Sequence, residues 1–260
     1  MLPKQPIILV DLDDTLFQTH RRRSPKQHDR VASLDRHGKP LAFMSGKQQL
    51  MVDWLMAHSE LIAVTARSVE SLLRVQMPFP HGAICLNGGA IVLSNGEIDR
   101  HWQQQQRNEL AHLQNRMQQL CDELEQHAEG LGTVRTWTEQ DDQQHIYVVA
   151  KQHHSEALFL HSLTTRLPAE LWQDFYLHIN GHNLAIIPKM VSKRRAVEYL
   201  LKQLDPEEQR VYLGFGDSLS DFDFLQLCDW FGMPKNSQLN RFTHQALQQD
   251  YQQKGFFGHD

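Results

Sequence analysis

Short runs of apolar residues recur along the chain, and each ends at a polar or small residue. Four such runs are Ile7–Val10, Leu61–Val64, Ala83–Leu86 and Val211–Phe215. Runs this short and rich in Ile, Leu and Val are typical of strands buried in a parallel sheet. Helical patterns lie between them, at Gln49–His58, after Ser68 and after Ser192. Alternating strands and helices predict an α/β fold with a doubly wound, mostly parallel sheet.

The middle of the chain has a different pattern. Leu and Met recur at steps of three and four over residues 110–124, which predicts a long amphipathic helix. Two strand–turn–strand patterns follow, separated by a second helical segment, and the later one turns at Asn180-Gly181. Because a helix with a hairpin occurs twice, we predict a smaller α+β domain inserted into the core. We place this cap domain at residues 91–186 and the core at residues 1–90 and 187–260.

Composition is typical of an ordinary protein of one or two domains. The chain has 260 residues, 40% of them hydrophobic, and a net charge of −5, which favours neither a nucleic-acid nor a membrane partner. Asp11 interrupts the N-terminal apolar stretch too early for a signal peptide. We therefore expect a cytoplasmic protein that is a monomer or small homo-oligomer. The three cysteines and the many histidines, including His178 and His182, lack the spacing of a zinc site.

Polar side chains follow the predicted parallel strands. Because ligands bind beyond the carboxyl ends of such strands, Asp11, Thr65, Asn87 and Asp217 should converge in one cleft. Carboxylates gathered there would repel each other, and a bound cation offsets that repulsion. A hard ion such as Mg²⁺ suits these oxygen ligands. Asp221, four residues after Asp217, would reach the ion through water or orient the residues that bind it.

Three basic residues occupy the first turn of the helix that begins after Ser192. The helix dipole disfavours cations at this position, so we expect Lys193 to reach into the acidic cleft. The alternative is a solvated basic patch, and we favour that interpretation for Arg194 and Arg195.

Four segments resemble, in order, the motifs of the haloacid dehalogenase (HAD) superfamily. They are "DLDDT" from Asp11, "VTAR" ending at Arg67, Lys193 at the start of a helix, and "GDSLSD" ending at Asp221. The inserted domain resembles the type IIB cap of sucrose-phosphate and mannosylphosphoglycerate phosphatases. This resemblance implies a HAD-like Rossmannoid core and a Mg²⁺-dependent phosphatase. The implied substrate is a small phosphorylated metabolite, by default a sugar phosphate.

The resemblance also implies a role for each motif residue. Asp11 would attack phosphorus to form an aspartyl-phosphate, and Asp13 would act as general acid and then base. Thr65 and Lys193 would complete the catalytic set by binding the phosphoryl group. The implied metal ligands are Asp11, Asp13 (through its backbone carbonyl), Asp217 and Asp221. The candidate substrate-binding residues are Thr65, Arg67, Asn87, Gly88, Asn180, His182 and Lys193.

Several alternatives stay open at this point. A sugar phosphomutase related to phosphomannomutase is the second enzyme hypothesis, and a non-catalytic metabolite-binding HAD module is a third possibility. The loop at Arg21–Arg23 would either clamp an anionic substrate or remain solvated, and we favour the solvated loop. The sequence is equally consistent with a solvated and with a catalytic carboxylate at Asp14.

Overall fold

The computed structural model describes residues 4–129, 134–152, 158–180 and 182–254. The strands, in chain order, are β1 Ile7–Val10, β2 Gln18–Thr19, β3 Arg30–Leu34, β4 Pro40–Met44, β5 Glu60–Val64, β6 Ala83–Cys85, β7 Ala90–Val92, β8 Val134–Asp141, β9 Gln144–Gln152, β10 Phe175–Asn180, β11 Asn183–Pro188, β12 Tyr212–Phe215 and β13 Trp230–Gly232. The α-helices are α1 Gly46–His58, α2 Val69–Leu72, α3 Arg100–Leu110, α4 Gln114–Ala128, α5 Leu158–Thr164, α6 Lys193–Leu204, α7 Phe222–Leu225 and α8 Gln238–Lys254.

The main sheet has six strands in the order β13–β12–β1–β5–β6–β7. Every neighbouring pair is parallel except β6 and β7. The four apolar runs of the sequence all become strands of this sheet. The predicted doubly wound, mostly parallel α/β core is therefore confirmed.

Strand β1 lies at the centre of the sheet and is buried on both faces. Ile7 and Leu9 pack with α6 and α7 on one face, whereas Ile8 and Val10 join the hydrophobic cluster that includes α1 on the other. Alternate side chains of a strand point to opposite faces, so an unbroken apolar run is what a two-sided core requires. This burial fixes the register that brings Asp11 to the carboxyl edge.

A second sheet, antiparallel throughout, has the order β10–β11–β9–β8. It comes between β7 and β12 in the chain, and α4 packs against it. Both predicted hairpins are present, although Gly181 at the turn of the second lies outside the described residues. The exact boundaries of the cap at residues 91–186 stay a prediction.

The predicted amphipathic helix is interrupted by a 3-10 turn at Ala111–Leu113, which separates α3 from α4. Gln114 explains the interruption, because its Nε2 donates hydrogen bonds to the carbonyls of Leu110, at 3.1 Å, and of His145, at 3.0 Å. The side chain thus binds the last carbonyl of α3 across the turn and anchors the turn to the start of β9.

The chain between β1 and α1 forms a small three-stranded sheet of order β2–β4–β3. Its hairpin turns at Gly38, whose φ of 75° a glycine adopts without strain. Helix α1 buries Val52 and Leu55, whereas Leu50 and Trp54 are exposed. The helical segment predicted at Gln49–His58 is thus present, but these two large apolar side chains face solvent. Among the described residues, no helix combines the length and the hydrophobicity needed to cross a bilayer.

Candidate active site

Lys193 connects two aspartates from distant parts of the chain. Its Nζ donates hydrogen bonds to Asp11 Oδ1 at 2.9 Å and to Asp221 Oδ1 at 2.6 Å, and all three residues are buried. Ser192 caps α6 by accepting a hydrogen bond from the Arg195 N–H, which fixes the first turn that carries Lys193. The unfavourable position of this cation at a helix start is thus offset by two charge-assisted hydrogen bonds.

The loop after β12 is organised around the carboxylate of Asp221. Its Oδ2 accepts hydrogen bonds from the backbone N–H groups of Asp217 and Ser218 and from the Ser218 hydroxyl, at 2.8–3.1 Å. Gly216 must lack a side chain here, since a Cβ would lie 2.6 Å from that of Asp221. With Lys193 on Oδ1, Asp221 accepts four hydrogen bonds, so this residue orients its neighbours.

Three carboxylates meet at this edge of the sheet. Asp11, Asp217 and Asp221 each place an oxygen within 4.8 Å of the others. Burial, followed by repulsion from Asp221, raises the pKa of Asp217 to about 7. Burial also raises the pKa of Asp11 well above its usual value, although the charge of Lys193 opposes this. A hard divalent cation fits such a donor set, because it would stabilise the ionised form of both carboxyls.

Asp221 and Lys193 each stabilise the ionised form of the other. Burial alone would raise the pKa of Asp221, but the Lys193 charge and the hydrogen bonds from Lys193 and Ser218 hold it below its usual value. Burial alone would lower the pKa of Lys193, yet Asp11 and Asp221 raise it. Lys193 therefore stays a cation beside ionised Asp221.

Asp13 is held by Arg67. The guanidinium donates from Nε to Asp13 Oδ2 at 2.6 Å and from Nη2 to Oδ1 at 2.8 Å, a bidentate pair. Arg67 also stacks over the Phe17 ring at 5.3 Å and contacts the Ser33 hydroxyl in the small sheet. Arg67, predicted to bind substrate, is thus positioned to orient the carboxylate of Asp13.

Thr65 and Asn87 follow neighbouring strands, as predicted. Thr65 is buried and accepts a hydrogen bond from the Arg67 N–H, while the Asn87 N–H donates to the Thr65 carbonyl. Leu86, Asn87 and Gly88 all have positive φ, which is costly for a leucine. A Cβ on Gly88 would lie 2.2 Å from the Ser192 carbonyl oxygen, so this turn packs directly against the start of α6.

One face of the cap sheet lies over the core site. From β9, the Tyr147 hydroxyl donates to the Ala66 carbonyl at 2.9 Å. From β10, His178 has a pKa below its usual value because of burial and the nearby Lys193 charge, which Asp221 partly offsets. His182 is exposed, and for Asn180 the structure describes the backbone but not the side chain. His178 is therefore a buried histidine of the cap sheet that lies near Lys193.

Comparison with known families identifies the chain. Residues 4–254 match the family model described as sucrose-6F-phosphate phosphohydrolase, which is nearly the whole sequence. The chain belongs to this family. As a member of the sucrose-6F-phosphate phosphohydrolase family, it is a HAD-superfamily hydrolase that acts on phosphoric monoesters. The predicted family and enzyme class are confirmed. No curated protein matches the sequence significantly.

Solved structures with the same fold include several phosphatases. The sucrose-phosphatase of Synechocystis sp. PCC6803, in complex with sucrose and phosphate, has a TM-score of 0.54 and 17% identity over 95% of this chain and 98% of its own. The C-terminal domain of C. albicans trehalose-6-phosphate phosphatase has a TM-score of 0.59 and 16% identity, with coverages of 86% and 73%. A haloacid dehalogenase-like hydrolase from Bacteroides thetaiotaomicron has a TM-score of 0.52 and 12% identity, with coverages of 88% and 94%. At these identities the likeness establishes the fold alone.

Sequence reasoning missed some residues of the site. Thr15 donates its hydroxyl to Asp11 Oδ2 at 3.3 Å, and Ser218 supplies two hydrogen bonds to Asp221. His178, considered in the sequence only as a zinc ligand, is a third. The alternation along β10 was the available signal, since it places His178 on the same face as Tyr176.

Proposed function

We propose that this protein is a Mg²⁺-dependent phosphatase that hydrolyses a sugar phosphate through a phosphorylated Asp11. The observation that carries this proposal is Lys193 bridging Asp11 and Asp221 beside Asp217, in a chain of the sucrose-6F-phosphate phosphohydrolase family. The relatives named as sucrose-phosphatase and trehalose-6-phosphate phosphatase support a phosphorylated sugar as the substrate class.

In the first step, a carboxylate oxygen of Asp11 attacks phosphorus, and the bond from phosphorus to the sugar oxygen breaks. Lys193 and Thr15 orient the Asp11 carboxylate by their hydrogen bonds to its two oxygens. Asp13 gives its proton to the departing sugar oxygen, so that an alcohol leaves instead of an alkoxide. Arg67 sets the position of Asp13 for this transfer.

In the second step, the carboxylate of Asp13 takes a proton from a water molecule. The water oxygen attacks phosphorus, and the bond between phosphorus and the Asp11 oxygen breaks. Inorganic phosphate leaves, and both aspartates return to their starting forms. Lys193 and the Thr65 hydroxyl bind the phosphoryl oxygens in both steps, which stabilises the charge that develops there.

The acidic cluster would hold the metal ion. Asp11, the backbone carbonyl of Asp13 and Asp217 would be its ligands, and Asp221 would orient Asp217 through the Asp217 N–H. When bound, Mg²⁺ supplies positive charge that neutralises the phosphoryl oxygens. The face of the cap sheet that carries Tyr147 and His178 would exclude bulk water from these steps.

A phosphate-release assay tests this function. A panel including sucrose 6F-phosphate, trehalose 6-phosphate and other phosphorylated sugars is incubated with the protein in Mg²⁺ and in EDTA. We expect release from at least one sugar phosphate, lost in EDTA and in Asp11→Asn, and retained in Asp53→Asn, which changes an exposed aspartate. Activity that survives EDTA or Asp11→Asn would reject the proposed mechanism. Conversion to an isomeric sugar phosphate without phosphate release would favour the phosphomutase.

A further inference from the structure

A cavity of about 440 Å³ borders the acidic site and has Asp14 and Asp217 in its wall. Its walls come from the loop that follows β2, which carries Arg22 and Arg23, and from the segment between β13 and α8, which carries Lys235. Arg241 of α8 completes the set of lining cations. The volume is within the range of small-molecule sites. None of the roles derived above uses these four basic residues.

The cations of this cavity outnumber the carboxylates that could neutralise them. Arg22 pairs with Asp14 at 3.3 Å, and Arg23 pairs with Asp29 at 2.7 Å. In the described part of the chain, neither Lys235 nor Arg241 lies within ion-pair distance of a carboxylate. The loop that carries Arg22 and Arg23 is thus held by ion pairs. Asp217 also lines the cavity, so its four cations meet three carboxylates and one positive charge is left in excess.

Two hydrogen-bond donors of the Arg23 side chain lack an acceptor among the described residues. Its Nε and Nη2 are buried and find no acceptor among the described residues, although Nη1 donates to Asp29. Buried donors without a protein partner are rare, and in many proteins such a donor binds an ion. Because Arg23 lines the cavity, a rotation of its side chain would bring these nitrogens to the oxygens of an anion there.

The first turn of α8 adds to the attraction for anions. The Leu239 N–H donates to the Asp217 carbonyl at 2.8 Å, and the Asn240 N–H donates to the Ser237 hydroxyl at 2.9 Å. These bonds hold the start of a 17-residue helix against the metal-site loop, with Ser237 and Gln238 lining the cavity. The positive end of the helix dipole therefore lies at the same cavity as the four cations.

We propose that this cavity binds a phosphate dianion. Arginine forks match phosphate oxygens in geometry, and several cations around one space suit a doubly charged anion better than a single carboxylate. The anion comes either from a second phosphate of the substrate or from free inorganic phosphate. Assigning it to the substrate rests on the proposed phosphatase function, whereas the binding itself does not.

Isothermal titration calorimetry with inorganic phosphate tests the binding. The full chain is titrated in EDTA, so that no metal ion can hold phosphate at the catalytic aspartates. We expect one phosphate per chain, and Lys235→Gln/Arg241→Gln should weaken it about tenfold or more through the loss of charge-assisted hydrogen bonds. Arg36→Gln/Lys39→Gln, which removes the same charge from the exposed β3–β4 turn, should bind like the wild type.

A second titration identifies the source of the phosphate. Fructose 1,6-bisphosphate and fructose 6-phosphate are titrated in Mg²⁺ into Asp11→Asn, with and without Lys235→Gln/Arg241→Gln. If the bisphosphate binds more tightly than fructose 6-phosphate, and Lys235→Gln/Arg241→Gln abolishes this difference, the cavity binds a phosphate of the substrate. If the two sugar phosphates bind with equal affinity, and inorganic phosphate still binds in EDTA, the cavity binds free inorganic phosphate.

The proposal is overturned in two cases. One is a wild-type chain that binds no phosphate in EDTA. The other is a Lys235→Gln/Arg241→Gln chain that folds, by circular dichroism, and binds phosphate as tightly as the wild type. Neither case depends on turnover, so a failure of the phosphatase proposal is distinguishable from a failure of the cavity.

Discussion

Replacing Lys193 with methionine removes the cation between two buried carboxylates. The lysine Nζ lies 2.9 Å from Asp11 Oδ1 and 2.6 Å from Asp221 Oδ1, and Asp221 is 0% exposed. Removing one partner of a buried ion pair leaves the other charge uncompensated, which costs about 3–5 kcal/mol. Methionine retains most of the packing, so we expect Lys193→Met to lower the free energy of unfolding in EDTA by about that amount.

Urea unfolding followed by circular dichroism measures this change. Lys202→Met is the matched control, because Lys202 is exposed on the same helix and its substitution should change the free energy by about 0.5 kcal/mol or less. Lys193→Met/Asp221→Asn also removes one of the two carboxylates left unpaired. Its loss in free energy of unfolding should therefore be smaller than the sum of the losses in the two single variants. If Lys193→Met lowered the free energy of unfolding by less than about 1 kcal/mol, or if the effects of the two substitutions were strictly additive, Asp11, Lys193 and Asp221 would not be a coupled unit.

Three further predictions concern the same site. In EDTA, stability should fall as pH rises from about 4 through about 7, because folded Asp217, with its raised pKa, keeps a proton that the unfolded chain releases near 3.8. The fall in the free energy of unfolding with pH, measured by urea unfolding, should be smaller in Asp217→Asn than in the wild type. Gly88→Ala should destabilise by about 1–3 kcal/mol or more in calorimetry, since its φ is 99° and the new Cβ meets the Ser192 carbonyl. Arg67→Lys should lower kcat by up to about 100-fold, with less effect on KM, because Asp13 loses its bidentate partner.

Each of these predictions has a contrary result. An Asp217→Asn chain whose stability falls with pH as steeply as the wild type would remove Asp217 as the group responsible. If Gly88→Ala unfolded at the same temperature as the wild type, the turn would accommodate a Cβ with little loss of stability. An Arg67→Lys enzyme with unchanged kcat would remove Arg67 as a positioning residue for Asp13.

The position of the site was predictable because it depends on local patterns. An unbroken apolar run such as Ile7–Val10 requires burial on both faces, which makes β1 a central parallel strand. Asp11 must then emerge at the carboxyl edge. The same reasoning brought Asp217 to that edge after β12, and the rule-breaking cation at the start of α6 identified Lys193.

The remaining features depend on contacts between distant segments. Nothing in the "VTAR" segment alone indicates that Arg67 reaches Asp13, because this requires the small sheet and the loop after β5 to pack together. The hydrogen bonds to Asp221 depend on a turn that brings Ser218 back onto its carboxylate. The break before α4 depends on Gln114 reaching the carbonyl of a residue in β9. Such pairings have no periodic signature in the sequence.

Calorimetric titration of Mg²⁺ into the metal-free chain tests the acidic cluster most directly. We expect one ion per chain. Asp221→Asn, which removes the carboxylate that orients the Asp217 backbone, should weaken binding by about 10- to 100-fold, and Asp217→Asn should weaken it further. Binding of Mg²⁺ that is unchanged by Asp217→Asn, or no binding to the wild type, would contradict a metal site built from Asp11 and Asp217.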